Sequence, residues 1–248
     1  MKRLGIFSIS VVLITGLLYA LSCNSCQSGK QVSVAEPFSR LSPDFNADSA
    51  YAFVQAQVDF GARVPGSLAH EACGDYLTAK LKTYSATVVE QRADITHYDG
   101  KNLPLRNIIA SYYPEKEKRV LLFAHWDSRP FADEETDDRR QRQAIAGADD
   151  GASGVAVLLE IARQLQLQPA EVGIDLIFFD LEDWGQPSFD KDWVQGDWWC
   201  LGSQYWSEQP HAENYKAAYG ILLDMVGGSK ATFLKEGYSM QYAPGVVE

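Results

Sequence analysis

Positive charge is the first thing the sequence is short of. Its 248 residues carry 22 Lys and Arg against 33 Asp and Glu, for a formal net charge of −11. Phosphate backbones are held by basic faces, so this balance argues against a nucleic-acid partner. Cysteine is scarce too: only Cys23, Cys26, Cys73 and Cys200. Cys23 and Cys26 have C-x-x-C spacing, but no second pair or strand accompanies them, so neither a metal knuckle nor a redox motif is supported. Cys73 and Cys200 are left open between a disulfide and two small buried apolar side chains. Histidine is limited to His70, His97, His125 and His211, with none after Asp224. Internal repeats and low-complexity segments are lacking, which excludes solenoids and long disordered tracts.

Long apolar runs are also lacking, with one exception at the N-terminus. Lys2 and Arg3 precede an apolar stretch from Leu4 to Leu21, the pattern of a secretory signal. It ends Ala20-Leu21-Ser22-Cys23, which resembles a bacterial lipobox whose cysteine becomes the lipidated first residue. The expectation is a signal peptide over 1–22, a polar tether over 23–45 and a single domain over 46–248. The protein is then exported to the cell envelope as a periplasm-facing lipoprotein, held to the membrane through Cys23. Plain secretion and an uncleaved anchor are the alternatives, since a run of this length is near the minimum for a span.

The domain reads as alternating elements. Ala47–Phe60 and Ser67–Tyr84 have helical apolar spacing, with Asp48 early in the first and Ser67 and Glu71 opening the second. Ala86–Tyr98 and Leu105–Tyr112 flank Asp99-Gly100 and predict a hairpin. The runs Arg119–Trp126, Val172–Asp180 and Ala217–Met225 predict strands buried on both faces, with a helix over Gly151–Gln166 between the first two. This order predicts an α/β fold: one three-layer domain with a mixed, mostly parallel twisted sheet and helices on both faces. Ligands of such sheets bind beyond the carboxyl ends of the strands.

Chemistry-bearing residues sit at those ends. His125-Trp126-Asp127-Ser128 follows the first run, Glu182-Asp183 the second, and Asp224 closes the third. Asp149-Asp150 opens the helix between them. Any one of these has an ordinary structural explanation, such as a core histidine, a solvated loop or a helix cap. Together they place several carboxylates and an imidazole on one rim. Carboxylates crowded there repel and lose hydration, and a divalent cation removes that cost. Oxygen and imidazole donors suit zinc.

The blocks HWDS, GADDGASGVAVLLE, IFFDLEDWG, LGS and LLDMVGG, from about Phe53 to the end, resemble the zinc exopeptidase superfamily, which includes the di-zinc aminopeptidases and the glutaminyl cyclases. The resemblance implies that Asp150 and Asp183 bind zinc and that Glu182 is the general acid/base. Asp149 supports the helix start or nearby backbone without binding metal. In the aminopeptidases a second ion is held by the residues matching His125 and Asp224. In the cyclases one ion suffices: the residue matching Asp224 hydrogen-bonds the reacting groups, and His125 supports a ligand carboxylate. DFGARVPGS (Asp59–Ser67), HWDS and the tryptophan-rich insertion Trp184–Cys200 favour the cyclase branch. Of Trp184, Trp193, Trp198, Trp199 and Trp206, Trp193 best matches the substrate-binding tryptophan. Animal cyclases carry glutamate where Asp183 stands. The expected activity is zinc-dependent cyclisation of N-terminal glutamine on peptides or proteins, with release of ammonia. A zinc aminopeptidase and a non-catalytic peptide-binding lipoprotein are the alternatives. The family's third zinc ligand is a histidine on a later loop. It is expected beyond Glu248, together with a further strand, so the chain reads as C-terminally truncated.

Overall fold

The computed structural model describes residues 42–247. The signal peptide, Cys23, Cys26 and most of the tether lie outside the described residues. Among the described residues no helix is long and apolar enough to cross a membrane.

Helix α1 spans Ala47–Asp59, and its N-cap is Asn46, whose side chain accepts from the Ser49 N–H. Asp48 adds a favourable charge in the first turn. Helix α2 spans Leu68–Thr83, capped by the Ser67 hydroxyl, which accepts from the His70 N–H at 3.1 Å. Strands β1 (Thr87–Thr96) and β2 (Asn102–Tyr112) form the antiparallel hairpin. Its turn places Gly100 at φ +78°, a conformation that favours glycine.

Strand β3 (Arg119–His125), a short α3 (Asp138–Gln141), α4 (Ala152–Leu167) and β4 (Gly173–Phe179) follow. Then come α5 (Leu201–Glu208), β5 (Gly220–Leu222), α6 (Gly237–Tyr242) and α7 (Pro244–Val247). The sheet order is β1-β2-β4-β3-β5, with β4-β3 and β3-β5 parallel and the other two pairings antiparallel. The sheet is mixed as expected, and its parallel part is the half that carries the site.

Side chains alternate across the sheet. Ile108, Ala110, Leu176 and Phe178 face one way and pack with Leu77 and Leu81 of α2 and Val155, Leu158 and Leu159 of α4. Ile109, Ile177 and Phe179 face the other way and pack with Trp206 of α5. Helices therefore cover both faces.

One expectation needs correction. Ala217–Met225 reads as a strand buried on both faces, but only Gly220–Leu222 pair, and all three are exposed. β5 is the last strand of the sheet among the described residues, with β3 as its one neighbour. An apolar run reports the tendency to be buried and cannot report how many neighbours the strand has. Cys73 and Cys200 are both unpaired, the first buried among apolar side chains.

Candidate metal and catalytic site

The site forms where β3 and β4 end. The period of the strand sends Trp126 into the core and leaves His125 and Asp127 together on the opposite side. Trp126 is fully buried, donates its indole N–H to the Arg106 carbonyl at 3.0 Å and stacks on His70 with ring centroids 4.2 Å apart. Asp127 is also fully buried. Its Oδ1 accepts from the Glu182 N–H at 3.1 Å and faces His125 Nδ1 at 3.3 Å, while Oδ2 accepts from the Asp183 N–H at 3.2 Å. One carboxylate thus fixes both the histidine and the acid pair.

The loop leading to Asp149-Asp150 is pinned by Arg63, from DFGARVPGS. Its buried guanidinium donates to the carbonyls of Trp126, Ala146 and Gly147 at 2.9, 2.7 and 2.6 Å. Gly151 follows at φ +88°, where a Cβ would stand 2.8 Å from the Asp127 carbonyl oxygen and 3.1 Å from the His125 ring. Asp149 does not cap α4. Its Oδ1 accepts from the Gly227 N–H at 2.7 Å and so ties the loop after β5 to the helix start. Asp150 turns the other way, its Oδ1 lying 2.8 Å from His125 Nε2.

The acid pair is aimed by the turn after β4. Leu181 adopts φ +56°. Asp180, fully buried, holds this turn: Oδ1 accepts from the Leu181 N–H and lies 3.0 Å from His70 Nε2, and Oδ2 accepts from the Arg106 N–H. The start of α5 closes over the turn, with N–H groups of Cys200, Leu201 and Gly202 donating to the carbonyls of Glu182, Leu181 and Asp180, each at 3.0 Å. Asp224 completes the cluster, its Oδ1 3.6 Å from His125 Nε2.

The electrostatics are those of crowded acids. Burial, reinforced by neighbouring carboxylates, pushes Glu182 from 4.5 up to about 7 and Asp183 from 3.8 to about 7. Burial acts against charge on His125, but hydrogen bonds to Asp127, Asp150 and Asp224 raise its pKa well above the ordinary value. The His125 contact in turn holds Asp224 low. Asp183 Oδ2 is buried with no hydrogen-bond partner. A lone acceptor among repelling carboxylates fits a divalent cation, which supplies what that oxygen lacks. Two groupings put donor atoms within 4.8 Å of one another: His125, Asp150 and Asp183, and His125, Glu182 and Asp224. Both need His125, whose Nε2 is at hydrogen-bond distance from Asp150.

A cleft of about 730 Å³ opens over Asp150 and Asp183 and is walled by Arg129, Gln186, Trp193 and Trp199. Trp193 is 66% exposed on this wall. Trp199 carries the Arg129 guanidinium 4.6 Å from its ring and packs so closely on Gly185 that a Cβ there would fall 1.8 Å from the indole. Trp184 and Trp198 pack about His97, and Trp206 packs on Phe179. His211 accepts from the Trp206 indole N–H on the α5 face and takes no part in the cluster.

Of the residues the sequence points to, Asp150, Asp183 and Trp193 line the cleft, and His125, Glu182 and Asp224 gather behind it through the shared His125. Sequence reasoning assigned no role to Asp127, Arg63, Asp180 or the Trp199–Arg129 pair. Asp127 had a local signal, since a residue two beyond a strand histidine shares its side. Arg63 and Asp180 had none, because their partners are remote in sequence.

A mixed α/β sheet with acidic and imidazole donors gathered at its carboxyl rim defines a metalloenzyme-type scaffold. A family model, Peptidase family M28, matches residues 107–245, and the chain belongs to that family. A solved Zn-dependent exopeptidase from Parabacteroides distasonis is 57% identical over 82% of this chain and 70% of its own, with a TM-score of 0.81. A Bacteroides thetaiotaomicron glutaminyl cyclase solved with N-acetylhistamine is 55% identical over 83% of this chain and 70% of its own, also at 0.81. The glutaminyl-peptide cyclotransferase of Drosophila melanogaster is 28% identical over 69% of this chain and 46% of its own length. The chain spans between a third and a half of the curated relatives it matches.

Proposed function

We propose that the protein is a zinc-dependent glutaminyl cyclase, converting N-terminal glutamine of peptides or proteins to pyroglutamate with release of ammonia. The observation that carries this is the donor cluster around His125: Glu182 and Asp224 gather with it on one side, and Asp150 and Asp183, which line the cleft, on the other. A carboxyl group placed there can take a proton from one nitrogen and return it to another. Solved relatives above 50% identity that bear the cyclase name support the choice.

In this mechanism the substrate's α-amine attacks its own side-chain amide carbon. A ring C–N bond forms and the bond to the amide nitrogen breaks. Glu182 takes the proton from the attacking amine and delivers it to the departing nitrogen, which leaves as ammonia. Both reacting groups sit on one residue, so the protein's task is to hold the cyclic geometry. Proton transfer of this kind contributes roughly 10²–10⁴-fold. Asp150 and Asp183 would hold one zinc ion, which when bound polarises the amide carbonyl. His125, bonded to Asp150 and Asp127, keeps a ligand carboxylate in place. Asp224, ionised beside His125, accepts a hydrogen bond from the nitrogen in transit. Trp193 offers its exposed face to the substrate.

The grouping of His125, Glu182 and Asp224 favours a second reading, a two-ion aminopeptidase in which Glu182 draws a proton from water and the first peptide bond is cut. The cyclase names borne by solved relatives at 55% identity favour the first reading over this one. From the export-like N-terminus we further propose envelope attachment through Cys23 and substrates among exported chains that begin with Gln. Assaying Gln-β-naphthylamide and Leu-p-nitroanilide side by side, with a Glu182→Ala control, tests the proposal. Pyroglutamate and ammonia from the first, lost in the control, are expected. Cleavage of the second alone moves the protein to the aminopeptidases, and inactivity on both favours a binding protein.

A further inference from the structure

The cleft is larger than the cluster at its floor requires. Its volume of about 730 Å³ falls within the range of roughly 300–1,000 Å³ found for pockets that enclose drug-sized ligands. Its charges do not balance. Asp150 and Asp183 belong to the metal-binding group, and Asp133 is neutralised by Arg129, whose Nε and Nη2 donate to its two oxygens at 2.5 and 2.6 Å. That leaves Glu134 and Glu135, both exposed on the cleft wall and without an ion-pair partner among the described residues. Of the nearby cations, Arg139 pairs with Asp137 and Arg142 lies over the Phe189 ring at 4.5 Å, while Arg140 and Lys191 are exposed and lie beyond ion-pair distance of both carboxylates.

These two carboxylates are not on a loose tip. Asp133, just before them, is buried and accepts from the Ser188 N–H at 2.9 Å, while the Ser188 hydroxyl donates to the Asp133 carbonyl at 3.1 Å. The Glu135 N–H donates to the Ala132 carbonyl, and its own carbonyl accepts from the Gln141 side chain at 2.8 Å. The turn is thereby fastened to the insertion that bears Trp193 and Trp199. Two unpaired acids on a fastened turn, lining the same cleft as the exposed Trp193 indole, are complementary to an ammonium or guanidinium group on an aliphatic stem, which takes charge from the first and ring contact from the second.

We propose that Glu134 and Glu135, with the Trp193 face, select substrates carrying Lys or Arg just after the N-terminal residue. The inference rests on the proposed function, because it takes the N-terminal residue to lie on the floor at Glu182 and the rest of the peptide to leave past the wall. Surface attraction of this kind is modest and screened by salt, so the expected effect is about three- to tenfold in kcat/KM.

The test compares Gln-Lys-Ala, Gln-Ala-Ala and Gln-Glu-Ala as substrates of the full chain at about 0.02 M and about 0.5 M salt, with products identified by mass. The expected order is Lys, then Ala, then Glu, collapsing at high salt and in the Glu134→Gln/Glu135→Gln double variant. Equal rates for the three peptides overturn the inference, as does a Lys preference that persists in the double variant. Loss of a glutamine residue in place of ammonia overturns the cyclase reading alone, and the charge order is then read from cleavage. If no peptide turns over, the proposed function fails. Quenching of tryptophan fluorescence by the same three peptides then decides: tighter binding of the Lys peptide supports the selection, and equal binding sinks it.

Discussion

Replacing Asp127 by asparagine probes how the cleft floor is held. Aspartate offers four lone-pair directions, and three are used: two on Oδ1, toward His125 Nδ1 and the Glu182 N–H, and one on Oδ2, toward the Asp183 N–H. Asparagine keeps one acceptor oxygen. With that oxygen at the Oδ1 position, the amide NH₂ faces the Asp183 N–H, donor against donor, in a site closed to water. The opposite orientation loses two contacts and is worse. The better orientation costs about 1–3 kcal/mol for the unsatisfied buried groups. It also withdraws one of the charges that raise the His125 pKa, so the ring's affinity for its proton falls. Asp183 loses its anchor, and the Glu182–Asp183 pair its shared support, while every group that touches substrate or metal is intact. Substitutions behind a metal site lower affinity or activity by roughly 10–100-fold. Urea unfolding, zinc titration calorimetry and kcat/KM on Gln-β-naphthylamide measure the three consequences. A variant with activity and zinc affinity within about twofold of the parent would show that Asp127 does not position the pair.

Gly202→Ala should be destabilised by about 1–3 kcal/mol in urea unfolding, because its Cβ would meet the Asp180 carbonyl oxygen at 2.1 Å and Asn107 Oδ1 at 2.6 Å; unchanged stability would mean α5 shifts freely. Trp193→Ala should leave stability within about 0.5 kcal/mol while raising KM, since the side chain is mostly exposed on the cleft wall; an unchanged KM removes it from substrate binding. Chelation should abolish turnover and make stability pH-dependent. Folded-state values near 7 for Glu182 and Asp183 lie above the unfolded values, so the metal-free protein binds extra protons when folded. Its melting temperature should then fall as pH rises from about 4.5 to 7, and the zinc-loaded protein should lack that slope; matching slopes would refute the crowding argument.

What sequence alone made legible follows from the range of each signal. The hairpin, α1, α2 and α4 were readable because caps, turn residues and periodicity act over a few positions, as Ser67 and Gly100 show. β4 was readable as a buried strand although Asp175 sits at its middle. That residue is satisfied by Arg119, Ser111 and Tyr215, a set the local sequence does not announce. β5 misled because apolarity says nothing of neighbours. The cluster was readable because each core strand ends on an acid or histidine. Its supports were not: Arg63 meets Ala146 and Gly147 from more than 80 residues away, and Asp180 meets His70 and Arg106 only once the sheet has formed.

Trp126 occupies one position between two that hold the metal-site acids, His125 beside Asp150 and Asp127 beneath the Glu182-Asp183 pair. The indole is bolted to the core at its N–H and at its face, by Arg106 and His70. A change in the packing around that ring that moves the Trp126 main chain also moves its two covalent neighbours. The chemistry of the rim is therefore adjustable from the interior: substitutions at His70 or in the hairpin, far from any substrate, can retune how His125 and Asp127 are presented without altering a single group on the cleft surface.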